Sequence, residues 1–210
     1  VDVGAAYIYT RSGTTWSFQG GAPIATGSVA GDYFGQSVDI SGNYAIIGAP
    51  GCNVGTAIDA GAAYVFGWSG STWTQLDQLD QEDAAAGNDH FGYSVAIDGE
   101  RIIVGVYGRD RTYGGETFVD EGIALAFGLK DGEWRMETVR DPLSGSGAFA
   151  GAYVGYAVAI SGDLAAFGAP ELLGRTYYDS TPGTKNTPGA GYAFVRKVSP
   201  PFICLLYTSD

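Results

Sequence analysis

The chain has 210 residues, 45% hydrophobic and 16% charged, which is enough apolar material for a substantial core and too much for compositional disorder. Its 23 acidic and 11 basic residues give a formal charge of −12, a surface that repels phosphate backbones and anionic headgroups, so nucleic acid is not expected as a partner. No stretch approaches the roughly 18 apolar residues needed to span a bilayer, so no membrane insertion is expected of this segment, and no basic-then-apolar leader opens it. The 34 glycines, 13% aromatics and single methionine favour short strands and tight turns over helices. Because Val1 is not an initiator methionine and strand-like sequence begins at once, the chain reads as an internal piece of something longer.

In chain order, residues 1 to about 25 offer two strands, one opening with Gly4-Ala5-Ala6-Tyr7 and one carrying Trp16, joined by a turn at Ser12-Gly13. Residues 26–82 hold four. Phe34-Gly35-Gln36-Ser37-Val38-Asp39-Ile40 leads through Ser41-Gly42 to Tyr44–Pro50, and a loop at 51–60 then leads to Gly61-Ala62-Ala63-Tyr64, Ser69-Gly70 and Trp73. Residues 83–146 repeat the order: Phe91–Ile97, Asp98-Gly99, Arg101–Val106, a loop at 107–121, then Gly122-Ile123-Ala124-Leu125, Asp131-Gly132 and Trp134. Residues 147–198 begin it again with Val154–Ile160, Ser161-Gly162, Leu164–Pro170, a loop at 171–188 and Gly189-Ala190-Gly191-Tyr192. The expected turn and Trp then give way to Pro200-Pro201-Phe202-Ile203-Cys204-Leu205-Leu206-Tyr207-Thr208-Ser209-Asp210. Residues 199–210 break the repeat, look like translated adapter read-through, and are set aside from functional reasoning.

The apolar pattern says how each strand is covered. Val38 and Ile40, Val95 and Ile97, and Val158 and Ile160 alternate with small or polar residues, as a pleated strand requires. The second strand of each unit is apolar without alternation (Ala45-Ile46-Ile47, Ile102-Ile103-Val104, Ala165-Ala166-Phe167), which fits cover on both faces. In the fourth, Trp134 and Met136 alternate with Arg135 and Glu137, so it is the outermost. Ser-Gly and Asp-Gly supply hairpin turns. Units of roughly 60 residues, each a four-stranded antiparallel sheet covered on both faces, stack radially most economically. The expectation is an all-β propeller fragment of about three and a half blades, with Val38, Ile40, Ile46, Ile47, Val95, Ile97, Ile103, Val158, Ile160 and Phe167 buried between sheets.

Phe34-Gly35 with Gly48-Ala49-Pro50, echoed by Phe91-Gly92 and by Gly168-Ala169-Pro170, resembles the FG-GAP repeat of integrin α-subunit propellers and of many bacterial secreted or surface proteins. The resemblance covers about residues 1–198. It implies a seven-bladed ring, of which this chain would be half with the remaining blades as its neighbours, and an extracellular or cell-surface location. The calcium loop that such blades often carry between the FG and GAP strands has shrunk here to Ser41-Gly42, Asp98-Gly99 and Ser161-Gly162. A two-residue turn cannot supply the six to eight oxygens a calcium ion needs, so no cofactor or metal is expected.

Acidic residues gather at Asp77, Asp80, Glu82, Asp83 and Asp89 and at Asp120-Glu121, and read as solvated connections, with an adventitious calcium site as the alternative. The lone His90 occupies the position of Tyr33 and Tyr153, which argues for packing over catalysis; no catalytic residue is expected. Cys52 and Cys204 match no disulfide or zinc spacing. The loops between second and third strands lengthen while the strands hold their length, and loops that vary on a constant scaffold are where recognition sits. Arg109, Arg111, Tyr113, Arg175, Tyr177 and Tyr178 lie there, with Arg109, Tyr113, Arg175, Tyr177 and Tyr178 the candidate ligand anchors. The expected function is a non-catalytic recognition or adhesion module for a protein or carbohydrate ligand; the alternative is the propeller portion of a secreted hydrolase or other enzyme.

Overall fold

A computed structural model describes residues 3–19, 25–81, 85–137 and 150–171, and the backbone of 192–197. Strands β1 (Tyr9–Ser12) and β2 (Thr15–Phe18) form a hairpin, and β3 (Ser37–Ser41), β4 (Tyr44–Ala49), β5 (Ala62–Trp68) and β6 (Trp73–Leu79) form a sheet in that order. The next sheet runs β7 (Ser94–Asp98), β8 (Arg101–Val106), β11 (Ile123–Lys130) and β12 (Glu133–Glu137), with an extra hairpin of β9 (Arg111–Tyr113) and β10 (Glu116–Phe118) between β8 and β11. The last has three strands, β13 (Ala157–Ser161), β14 (Leu164–Ala169) and β15 (Tyr192–Lys197). All ladders are antiparallel, and no helix occurs among the described residues. The first strands β3, β7 and β13 pack side by side whereas β6 and β12 barely meet, so the sheets converge at one edge and splay at the other, as propeller blades do.

The motif glycines explain that convergence. Gly92, in the left-handed region at φ +85, leaves room for the next backbone: a Cβ on Gly48 of β4 would sit 2.9 Å from its carbonyl carbon. Gly105 of β8 stands in the same relation to Gly155. Hydroxyls fasten the contact, Ser37 Oγ donating to Gly92 O at 2.8 Å and Ser94 Oγ to Gly155 O at 2.7 Å. Asp39 Oδ2 accepts the Ile97 amide at 2.8 Å, and Asp98 Oδ2 accepts that of Gly162. The FG-to-GAP spacing thus repeats because each glycine pair is one backbone-to-backbone contact between neighbouring blades. The β3–β4 and β7–β8 turns fall at 42–43 and 99–100, one residue later than the Ser-Gly and Asp-Gly pairs, because Ser41 and Asp98 still pair with Tyr44 and Arg101.

Three cores fill the gaps. Ile46, Val65 and Leu79 meet Val95, Ile97, Ile102, Val104 and Phe127; Ile103 and Ala126 meet Val154, Ala165 and Phe167; and Ala6 and Ala25 join Phe34, Ile47, Tyr64 and Phe66. β4 and β8 are buried along almost their whole length, as the unbroken apolar runs require. Four expected core residues differ. Val38 and Ile40 are 60% and 51% exposed. Val95 and Ile97 are covered by the inner strands of the preceding blade, and those strands have no counterpart beside β3 among the described residues. Val158 and Ile160, on β13, are only partly buried, packed against the edge of the core that holds Ile103 and Phe167. Of the acidic residues read as solvated, Asp89 and Glu121 are instead buried, at 2% and 0% exposure.

Candidate functional site

The loop between second and third strands has one closure in both complete blades. In the shorter copy Asn53 Oδ1 accepts the Asp59 amide at 2.9 Å and Gly61 N donates to Cys52 O. In the longer, Asp110 Oδ1 accepts the Asp120 amide at 2.9 Å and Gly122 N donates to Arg109 O. Between these anchors the longer loop builds the β9–β10 hairpin, with Thr112 facing Thr117 at 3.1 Å and Tyr113 packed on Phe118. The two loops emerge at the same end, and each bonds to the approach of the following FG strand: Asn88 N donates to Ile58 O, and Tyr153 N to Asp120 O.

Beneath the hairpin lies a cavity of about 400 Å³ whose lining includes Gln81, Arg109, Arg111, Tyr113, Leu125 and Met136. Arg109 Nη1 donates to Gln81 Oε1 at 2.6 Å, and Gln81 Nε2 donates to Asp89 Oδ2 at 2.7 Å, where the Ala86 amide also arrives at 3.0 Å. Burial pushes the Asp89 carboxyl above the ordinary range, against the pull of its hydrogen bonds and of Arg109. Burial likewise pulls the Arg109 guanidinium down, opposed by Asp89. Arg111 lies 3.9 Å from the fully buried Glu121 and over the Tyr113 ring at 5.0 Å. Fixed guanidinium groups and an exposed ring around an apolar floor can hold a ligand that joins an apolar body to a hydrogen-bond acceptor.

Of the residues picked from sequence, Arg109 and Tyr113 both line this cavity, Tyr113 being 37% exposed. Arg175, Tyr177 and Tyr178 lie outside the described residues, as do Cys204 and the 199–210 tail. Sequence reasoning missed Gln81, whose only signal was its place in the connection that leads to Asp89, and Met136, read simply as one face of an outer strand. His90 packs as its repeat position implied: its ring stacks on Tyr107 at 5.2 Å, and Nδ1 meets Pro50 O at 3.2 Å. Cys52 is half-buried with Sγ 3.6 Å from the Tyr64 hydroxyl, and burial raises its thiol. Among the described residues no three His, Cys, Asp or Glu side chains converge as a metal site would require, and no helix is long and apolar enough to cross a membrane.

The family model described as FG-GAP repeat matches residues 24–66 and 73–119. The first match takes in β3 to β5 almost entirely, and the second runs from β6 through the FG and GAP strands of the next blade into the β9–β10 hairpin. The chain therefore carries two FG-GAP repeats, and its resemblance to FG-GAP proteins holds. No curated protein matches the chain significantly.

Proposed function

We propose that this FG-GAP repeat chain is a non-catalytic recognition module, extracellular or at a cell surface, that engages a protein or carbohydrate ligand through the loops at one end of its blades. FG-GAP repeats form β-propeller-type modules, often for ligand binding, and are typical of extracellular and cell-surface proteins. The observation that carries the reading is the contrast between two equivalent loops. The 51–60 connection closes as a plain turn, whereas its counterpart is closed by the same bonds and spends its extra residues on a hairpin over a cavity. The scaffold does not need that elaboration, and added surface with fixed Arg and Tyr side chains is the material of an interface. The engagement of His90 by Tyr107 and Pro50 supports a non-catalytic role.

The test is to probe the wild-type chain and an Arg109→Ala/Tyr113→Ala variant against the same protein and glycan arrays. A ligand held by wild type and weakened about ten-fold or more in the variant, compared well below both melting midpoints because Arg109 also partners the buried Gln81, is the expected result. Equal binding by both would move the interface elsewhere.

A further inference from the structure

A second aromatic assembly lies at the same end, nearer the converging first strands. Tyr107 is its hub: His90 stacks on it at 5.2 Å and 9°, Tyr93 meets it edge-on at 4.5 Å, and Tyr153 and Tyr156 lie 5.9 and 5.6 Å away. Tyr93 and Tyr156 are themselves 4.9 Å apart, and the Tyr93 hydroxyl donates to that of Tyr156 at 3.0 Å. These rings come from two neighbouring blades. Tyr156 is 43% exposed, and the other four are partly open to solvent.

The fold does not require this arrangement. Tyr107 stands where the GAP strands of the other repeats end in Pro50 and Pro170, and Tyr93 and Tyr156 stand where the first FG strand has Gln36. The same backbone junction is thus built with a proline and a glutamine, and the tyrosines are an addition to it. Rigid rings with few rotatable bonds present binding area with little loss of conformational freedom.

The chemistry selects the ligand. The exposed Tyr156 ring suits the C–H face of a pyranose, and the hydroxyl pair beside it suits its oxygens. Because Tyr156 accepts the Tyr93 hydrogen bond, its own hydroxyl proton is available to a ligand acceptor such as a sugar oxygen. The Asp120 carboxylate acts on Tyr107, and the chain carries −12, so acidic sugars are repelled. We infer that His90, Tyr93, Tyr107, Tyr153 and Tyr156 form a binding platform for a neutral glycan, separate from the Arg109 cavity.

The experiment is native affinity electrophoresis of the full chain in gels containing laminarin, glucomannan or xylan. The partner variant restores residues that the repeats themselves use, Tyr107→Pro with Tyr93→Gln and Tyr156→Gln, and its melting midpoint is measured alongside. Retardation of wild type by at least one polysaccharide, with apparent affinity about ten-fold or more weaker in a variant that melts normally, is expected. Should the triple variant melt early, Tyr156→Gln alone, at an exposed position, has to weaken binding. No retardation of wild type, equal retardation of wild type and Tyr156→Gln, or binding of poly-lysine in place of the neutral polysaccharides would each overturn the proposal.

Discussion

Replacing Gly105 by Ala should separate two blades. A Cβ there would stand 2.9 Å from the Gly155 carbonyl carbon and closer to its oxygen and to Ser94 Oγ, whereas carbon atoms in contact rest at about 3.5–4.0 Å. Relieving the overlap requires a shift of roughly 1 Å between β8 and the following FG turn, and overpacking of this kind costs about 1–3 kcal/mol. The shift also pulls apart the 2.7 Å bond from Ser94 Oγ to Gly155 O, which contributes about 1 kcal/mol. The total of about 2–4 kcal/mol corresponds to a midpoint lowered by roughly 5–15 °C at this chain length. The control is Gly168→Ala, at the same motif position, where the nearest atom to a new Cβ among the described residues is Ala157 Cβ at 3.7 Å, an ordinary contact. Thermal melts followed by circular dichroism should show a large loss for Gly105→Ala and almost none for Gly168→Ala. Equal melting of the two variants would refute the account of the motif as a backbone contact between blades.

Two further outcomes are expected. Because the folded chain holds Asp89 protonated to higher pH than the unfolded chain does, the native state binds more protons there, and stability falls as pH rises through the window that opens at the ordinary value of 3.8 and extends upward. Asp89→Asn, followed by denaturant titration across that window, should lose this decline relative to wild type; a constant difference between the two proteins would contradict the burial argument. Calcium should leave the thermal midpoint unchanged, since the β7–β8 turn has two residues and Asp98 already accepts the Gly162 amide. A calcium-dependent rise removed by Asp98→Asn would reverse that reading.

The sequence by itself determined the strands of the repeated sheets, their order and, to within one residue, the turns between them, though not the β9–β10 hairpin inside 107–121, because these follow from local rules: period-two alternation in Val95 and Ile97, unbroken apolar runs at Ile46 and Ile103, and glycine where the hairpins need positive φ. It also placed Arg109 and Tyr113 in a loop that varies on a fixed scaffold. The tertiary structure decided what depends on neighbours far along the chain. Val38 and Val95 occupy the same place in one repeated phrase, yet one is 60% exposed and the other 8%, because among the described residues only Val95 has a preceding sheet's inner strands to meet. Asp89 and Glu121 read as solvated carboxylates, but their connections fold inward against Gln81, Arg109 and Arg111, and no local pattern encodes that. The tyrosine assembly around Tyr107 is likewise invisible in any single repeat, since its rings come from two blades and meet only when the first strands converge.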